Sequence, residues 1–146
     1  MKKATTFILL LASTFAWANE CELVVNSTDQ MRFDKTEMSA PASCEEVTVT
    51  LNHTGQLAAN VMGHNWVLTK TADFQAVATA GMSAGLDNQY VPPGDARVLA
   101  YSKVIGGGES TSVTFSTKGL SKDGEYTFFC SFPGHWAIMK GTFKLI

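Results

Sequence analysis

Short runs of alternating apolar and polar residues, each closed off by Gly, Pro, Asn or Asp, recur along this chain from Glu22 to Ile146. A period of two puts successive side chains on opposite faces of a strand, so each run can bury one face and wet the other. Glu22–Val25, Glu46–Leu51, Trp66–Thr69, Arg97–Tyr101, Ser112–Ser116, Glu125–Cys130 and Gly141–Ile146 read as strands, with Met31–Asp34 a weaker candidate. Seven or eight short strands in a chain of this length predict an all-β fold, an antiparallel Greek-key β-sandwich. One segment breaks the pattern. Between Thr71 and Ala84, Phe74, Val77 and Ala78 share one helical face, Thr71 or Asp73 can cap the start, and Gly81 and Gly85 can end it. One short inserted helix is therefore expected, followed by a turn-rich connector from Asn88 to Asp95.

The first residues predict an exported protein. Met1-Lys2-Lys3 is a basic start, Phe7–Leu11 a short apolar stretch, and Ala16-Trp17-Ala18 a small-x-small cleavage site, so residues 1–18 read as a signal peptide. A membrane span would need about 20 apolar residues, and Ser13 and Thr14 interrupt this one. Residues 19–146 would then form a single mature domain. Loss of Lys2 and Lys3 with the leader makes a net charge of −2 more negative, and no basic run remains, which excludes nucleic-acid binding. The three cysteines of an exported chain give one pair and one thiol left over. If Cys130 serves another purpose, Cys21 and Cys44 are the pair.

Cys130 has such a purpose. It opens Cys130-Ser-Phe-Pro-Gly-His135-Trp-Ala-Ile-Met139, which sets a thiol, an imidazole and a thioether at the end of a predicted strand. A thiolate favours Cu(I), imidazole suits both oxidation states, and a weak axial thioether tunes a potential. A second imidazole has to come from elsewhere, and only His53 and His64 remain of the three histidines. His53 sits at a strand end before Thr54-Gly55, where a polar residue needs no metal. His64 lies in Val61-Met-Gly-His-Asn-Trp66, where Gly63 has no Cβ and can turn its carbonyl toward a metal from the face opposite Met139.

Val61–Leu68, Phe128–His135 and Met139–Thr142 together resemble the copper segments of the azurins, exported blue copper proteins of the cupredoxin family. The likeness extends over residues 19–146, including the positions of Cys21 and Cys44 and the helix-bearing insertion. It implies a cupredoxin-like fold with one copper per chain, cycling between Cu(II) and Cu(I). His64, Cys130 and His135 would form the ligand plane, with Met139 and the Gly63 carbonyl as weak axial contacts. It also implies that Asn65 donates its backbone amide to the sulfur and braces the other loop with its side chain, and that Phe132 N–H is a second donor. Among Leu57, Val61, Met62, Met82, Phe132, Pro133, Ala137 and Ile138, several would form an exposed apolar docking patch centred on His135. Periplasmic partners such as c-type cytochromes and nitrite reductase, and a monomeric state, follow from the same resemblance. Trp136 departs from the family, which commonly has a small or polar residue there; it could enlarge the patch or stack over the imidazole. His53 matches a histidine that titrates in some azurins, and a buried, hydrogen-bonded role is expected for it.

Other chemistries fit less well. A thiol nucleophile would need Cys130 with His64 or His135 as base, yet no Asp or Glu lies between Glu46 and Asp73 or after Glu125. A zinc module would not choose Met139 as its fourth ligand. Copper delivery without electron transfer is the alternative function, although such carriers tend to expose several Met or Cys ligands. Gly106-Gly107-Gly108 has no following Lys and opens no predicted helix, so it reads as a loop rather than a phosphate cradle.

Overall fold

The predicted alternation is realised as nine strands in a computed structural model that describes residues 19–146; the expected leader lies outside the described residues. They are β1 (Glu22–Thr28), β2 (Arg32–Phe33), β3 (Glu37–Ala40), β4 (Glu46–His53), β5 (Val67–Lys70), β6 (Val98–Tyr101), β7 (Ser110–Ser116), β8 (Tyr126–Phe129) and β9 (Lys140–Leu145). They form a four-stranded sheet ordered β2-β1-β4-β7 and a five-stranded sheet ordered β3-β9-β8-β5-β6. Along β4, Val47, Val49, Leu51 and His53 are buried while the residues between them are more exposed. Between the sheets Trp66 is stacked with Phe115 and Phe128, at centroid distances of 5.8 and 6.0 Å. Each such side chain removed from water contributes about 1.5–3 kcal/mol.

Two expectations are corrected. The strand count is nine because Glu37-Met-Ser-Ala40 pairs with β9. Only Met38 and Ala40 turn inward there, too short an alternation to read without its partner. Nor is the sandwich wholly antiparallel: β1 runs parallel to β4, and β3 parallel to β9. Parallel neighbours cannot be joined by a hairpin. The chain therefore leaves β1 through β2, crosses to the other sheet as β3, and returns as β4.

A short helix, α1 (Ala59–Met62), is present in addition to the expected one, which is α2 (Phe74–Ala84). Val77 and Ala78 of α2 are buried in a cluster with Val67, Val91 and Phe129. Asp73 occupies the cap position without a side-chain bond, while the Thr71 hydroxyl pairs with that of Thr127 at 3.0 Å. Gly81 does not end the helix. A Cβ there would fall 2.2 Å from the Tyr90 carbonyl oxygen, so its role is to admit the following loop; Gly85, at φ +75°, makes the end.

The parallel β1–β4 pair gives the sandwich two poles. Register runs from Glu22 opposite Thr48 to Ser27 opposite His53, so both strands begin at one pole and finish at the other. At the first pole a Cys21–Cys44 disulfide joins the segments that open them, with Cα atoms 5.7 Å apart. At the second lie Thr28, His53 and the loops that carry the candidate ligands.

Candidate metal centre

Two short segments deliver the donors. After α1, His64 exchanges backbone hydrogen bonds with Ile105, its N–H reaching the Ile105 carbonyl at 3.0 Å and the reverse bond measuring 2.9 Å. That bridge fixes His64 just before β5. Cys130 follows β8, and its N–H donates to the Met139 carbonyl at 3.0 Å. Between them His135 N–H donates to the Phe132 carbonyl and Met139 N–H to the His135 carbonyl, at 3.0 and 2.8 Å. These turns, with Gly134 at φ +83°, fold the loop back so that buried Met139 leads into β9 beside Cys130.

The donor atoms of His64, Cys130 and His135 lie within 4.8 Å of one another, and all three residues are buried. Cys130 Sγ stands 3.8 Å from His64 Nδ1, 3.6 Å from His135 Nδ1 and 3.9 Å from the Gly63 carbonyl oxygen. A metal with three trigonal bonds of about 2.0–2.3 Å to nitrogen and sulfur needs nitrogen–sulfur separations of about 3.6–3.8 Å. Both sulfur–nitrogen separations therefore match a shared ion. A Cβ on Gly63 would fall 2.2 Å from the Ala59 carbonyl oxygen and 2.5 Å from Val104, so only glycine allows this approach.

Hydrogen bonds select the tautomer that the fit requires. His64 Nε2–H donates to the Thr28 carbonyl at 2.9 Å, leaving Nδ1 as a lone-pair donor. His53 is different, since Nε2–H donates to the Met62 carbonyl at 2.9 Å and Nδ1 accepts from Gly55 N–H at 3.0 Å. Both of its nitrogens are spent, and it stacks on His64 at 4.4 Å as a buried support. Burial lowers the pKa of His64 to about 4 and also lowers that of His135, so both imidazoles are neutral near pH 7. Burial pushes the Cys130 thiol up to about 12, against the pull of the Asn65 and Phe132 backbone N–H groups donating to its sulfur. A thiol this hard to ionise alone becomes a thiolate only when a cation takes the place of its proton.

Asn65 braces the two segments. Its Nδ2 donates to the Gln89 carbonyl and to Ser131 Oγ, and its Oδ1 accepts from Ser131 N–H, each at 2.8 Å. Thr28 and Gln89 take part in holding the site, and neither is marked by its residue type. They act through backbone carbonyls, which carry no residue signature; only the turn-rich composition around Gln89 marked that stretch as a loop.

Of the expected docking residues, Leu57, Val61, Met82 and Ile138 are 41 %, 58 %, 41 % and 61 % exposed, and Pro133 and Ala137 are also exposed. Met62 and Trp136 are half-buried. Phe132 is buried and does not belong to the surface; its ring lies 4.7 Å from that of His135 and edge-on to Tyr90. The imidazole is thus covered by Phe132, and Trp136 turns instead toward Phe74, 5.9 Å away.

Soft and imidazole donors held uncharged at the end of a two-sheet sandwich define a cupredoxin, a small β-protein built around one copper ion. The family model for copper binding proteins of the plastocyanin/azurin family matches residues 19–146. The azurin of Bordetella pertussis is 61 % identical over 129 residues, covering 88 % of this chain and 86 % of that protein. The azurin of Achromobacter denitrificans is 53 % identical over 146 residues, covering 99 % and 98 %. A solved azurin from Methylomonas sp. strain J superposes with a TM-score of 0.84 at 52 % identity, covering 86 % of this chain and 98 % of that one. The chain belongs to the plastocyanin/azurin family of copper-binding proteins. Its cofactor is copper, and its work is blue-copper electron transfer.

Proposed function

We propose that this chain is a periplasmic one-electron carrier in which His64, Cys130 and His135 hold copper, with Met139 and the Gly63 carbonyl as weak axial contacts. The observation that carries the ligand set is the pair of sulfur–nitrogen separations, 3.8 and 3.6 Å, at a buried thiol flanked by two imidazole nitrogens. Copper bound there supplies a Cu(II)/Cu(I) couple. Cys130 gives up its proton on binding, since the thiolate is the ligand. Asn65 and Phe132 hold the sulfur through their N–H groups, and the Asn65 side chain keeps the two donor segments at one spacing in both oxidation states. Little movement on reduction favours rapid transfer. His135, 3 % exposed, offers the electron its exit.

Leu57, Val61, Met62, Pro133, Ala137 and Ile138, with Met82 on α2, supply the apolar surface on which partners dock. At Gly63, α1 and the 131–139 loop are close enough for one patch, since a Cβ there would fall 3.0 Å from the Phe132 ring. Exposed apolar groups of this kind suit brief complexes. The partners in this reading are c-type cytochromes and periplasmic oxidoreductases such as nitrite reductase, met by a monomer. Residues 1–18 are a leader removed on export and residues 19–146 the mature domain. No helix among the described residues is long and apolar enough to cross a membrane. The reading contains no catalytic step.

The test is direct. Mature protein given Cu(II) turns intensely blue, bleaches with a reductant and recovers with ferricyanide. A pale product sinks the ligand set.

A further inference from the structure

Three side chains next to the three C-terminal ligand positions converge on one residue of the inserted helix. Phe129, which precedes Cys130, meets the Phe74 ring edge-on at 4.9 Å and 73°. Trp136, which follows His135, meets it at 5.9 Å and 71°. Lys140, which follows Met139, places its ammonium 5.1 Å from the centroid of the same ring. Phe74 is the first residue of α2, and that helix is anchored by Val77 and Ala78 in a cluster that also holds Phe129. From this convergence we propose that Phe74 is a positioning residue for copper, clamping the spacing of Cys130, His135 and Met139 from the side opposite the metal. This rests on the ligand set proposed above.

The physical case is one of leverage. Edge-on aromatic pairs and a cation over a ring face are directional contacts, favoured at particular angles as well as distances. Neighbouring side chains on an extended segment point to opposite faces. At Phe129 and Cys130 this is direct, because Phe129 packs into the helix-side cluster while Cys130 packs into the cluster between the sheets. A shift of Phe74 is therefore transmitted to the ligand-bearing loop at three points. Asn65 ties Ser131 and Gln89 near the beginning of that loop. Phe74 holds its middle and end, where no hydrogen bond from Asn65 reaches. Trp136 thereby acquires a role in the loop's rigidity.

The experiment compares native, Phe74→Ala, Phe74→Tyr and Val77→Ala holoproteins, each loaded with Cu(II). The readouts are the sulfur-to-copper absorption, the copper hyperfine splitting, the reduction potential and the rate of copper loss to a chelator. Val77 is buried in the same cluster, so Val77→Ala reports a merely structural defect. For Phe74→Ala, the ratio of Cu(II) to Cu(I) affinity should change about threefold, or about 28 mV at 59 mV per decade. Hyperfine splitting should change with it and copper loss should accelerate several-fold. Phe74→Tyr, which keeps the ring, should restore native values, and Val77→Ala should lower the melting temperature alone. A blue native protein whose Phe74→Ala form keeps native spectrum, potential and loss rate overturns the clamp, as does an equal shift in Val77→Ala. A native protein that stays colourless with copper overturns the ligand set and the clamp together.

Discussion

At the pole where β1 and β4 begin, the Cys21–Cys44 disulfide ties their leading segments, and Thr117 Oγ donates to the Cys44 carbonyl. At the pole where they end, noncovalent contacts hold the chain: Thr28 accepts from His64, His53 supports Met62, and Asn65 laces Ser131 to Gln89. A covalent link stabilises mainly by restricting the unfolded chain. The noncovalent pole works differently. Its hydrogen bonds fix which nitrogen of His64 is free and how far the two donor segments stand apart, and neither can be set by a cross-link at the far end between residues 23 apart in sequence. One end of the molecule secures the fold, and the other sets the chemistry.

That division can be tested from both sides. Cys130→Ser should have the largest effect, removing the intense blue absorption of the copper-loaded protein while leaving the far-ultraviolet circular dichroism of the sandwich unchanged. Replacing Cys21 and Cys44 together by Ala should cost roughly 3 kcal/mol in denaturant unfolding. The blue spectrum and potential should nonetheless stay at native values; a large spectral change would show that the two poles are coupled. Asn65→Ala should do the converse, costing about 1–3 kcal/mol through unpaired groups on Ser131 and Gln89 and also altering the hyperfine splitting. Met139→Leu preserves volume and should cost less than about 1.5 kcal/mol. Colour should persist and the potential should rise, because losing a donor penalises Cu(II) more than Cu(I).

A further effect concerns pH and belongs to the ligand pole. His64 has a folded pKa of about 4, below its ordinary 6.5, because burial opposes its charge. A depressed histidine binds fewer protons folded than unfolded, so its contribution is present above about 6.5 and lost as pH falls toward about 4. His135 is shifted the same way. Melting temperatures of metal-free protein should therefore fall on acidification across that window. The slope should be the same in the Cys21/Cys44 variant if the poles are independent.

Much of this was legible in the residues because the relevant signals are local. Alternation at Glu46–His53 marks a strand whatever surrounds it, and the spacing from Cys130 through His135 to Met139 lies within one loop. The features that escaped were those decided by a distant partner. Strand β3 forms through pairing with β9, and Gly81 is a point of close approach because Tyr90 returns to it. Phe132 lies buried against the imidazole rather than on the docking patch, and Trp136 packs toward Phe74, because neighbours from other segments decide where an aromatic of the ligand loop goes.

The sequence by itself determined a β-sandwich with one inserted helix, the soft donor set, and the thiol left outside the disulfide, since periodicity, side-chain chemistry and cysteine number reside in the residues. Tertiary structure decided the sulfur–nitrogen separations, the free nitrogen of His64 and the convergence on Phe74. Those depend on backbone carbonyls and ring faces brought from distant segments, and such contacts exist only once the chain has closed on itself.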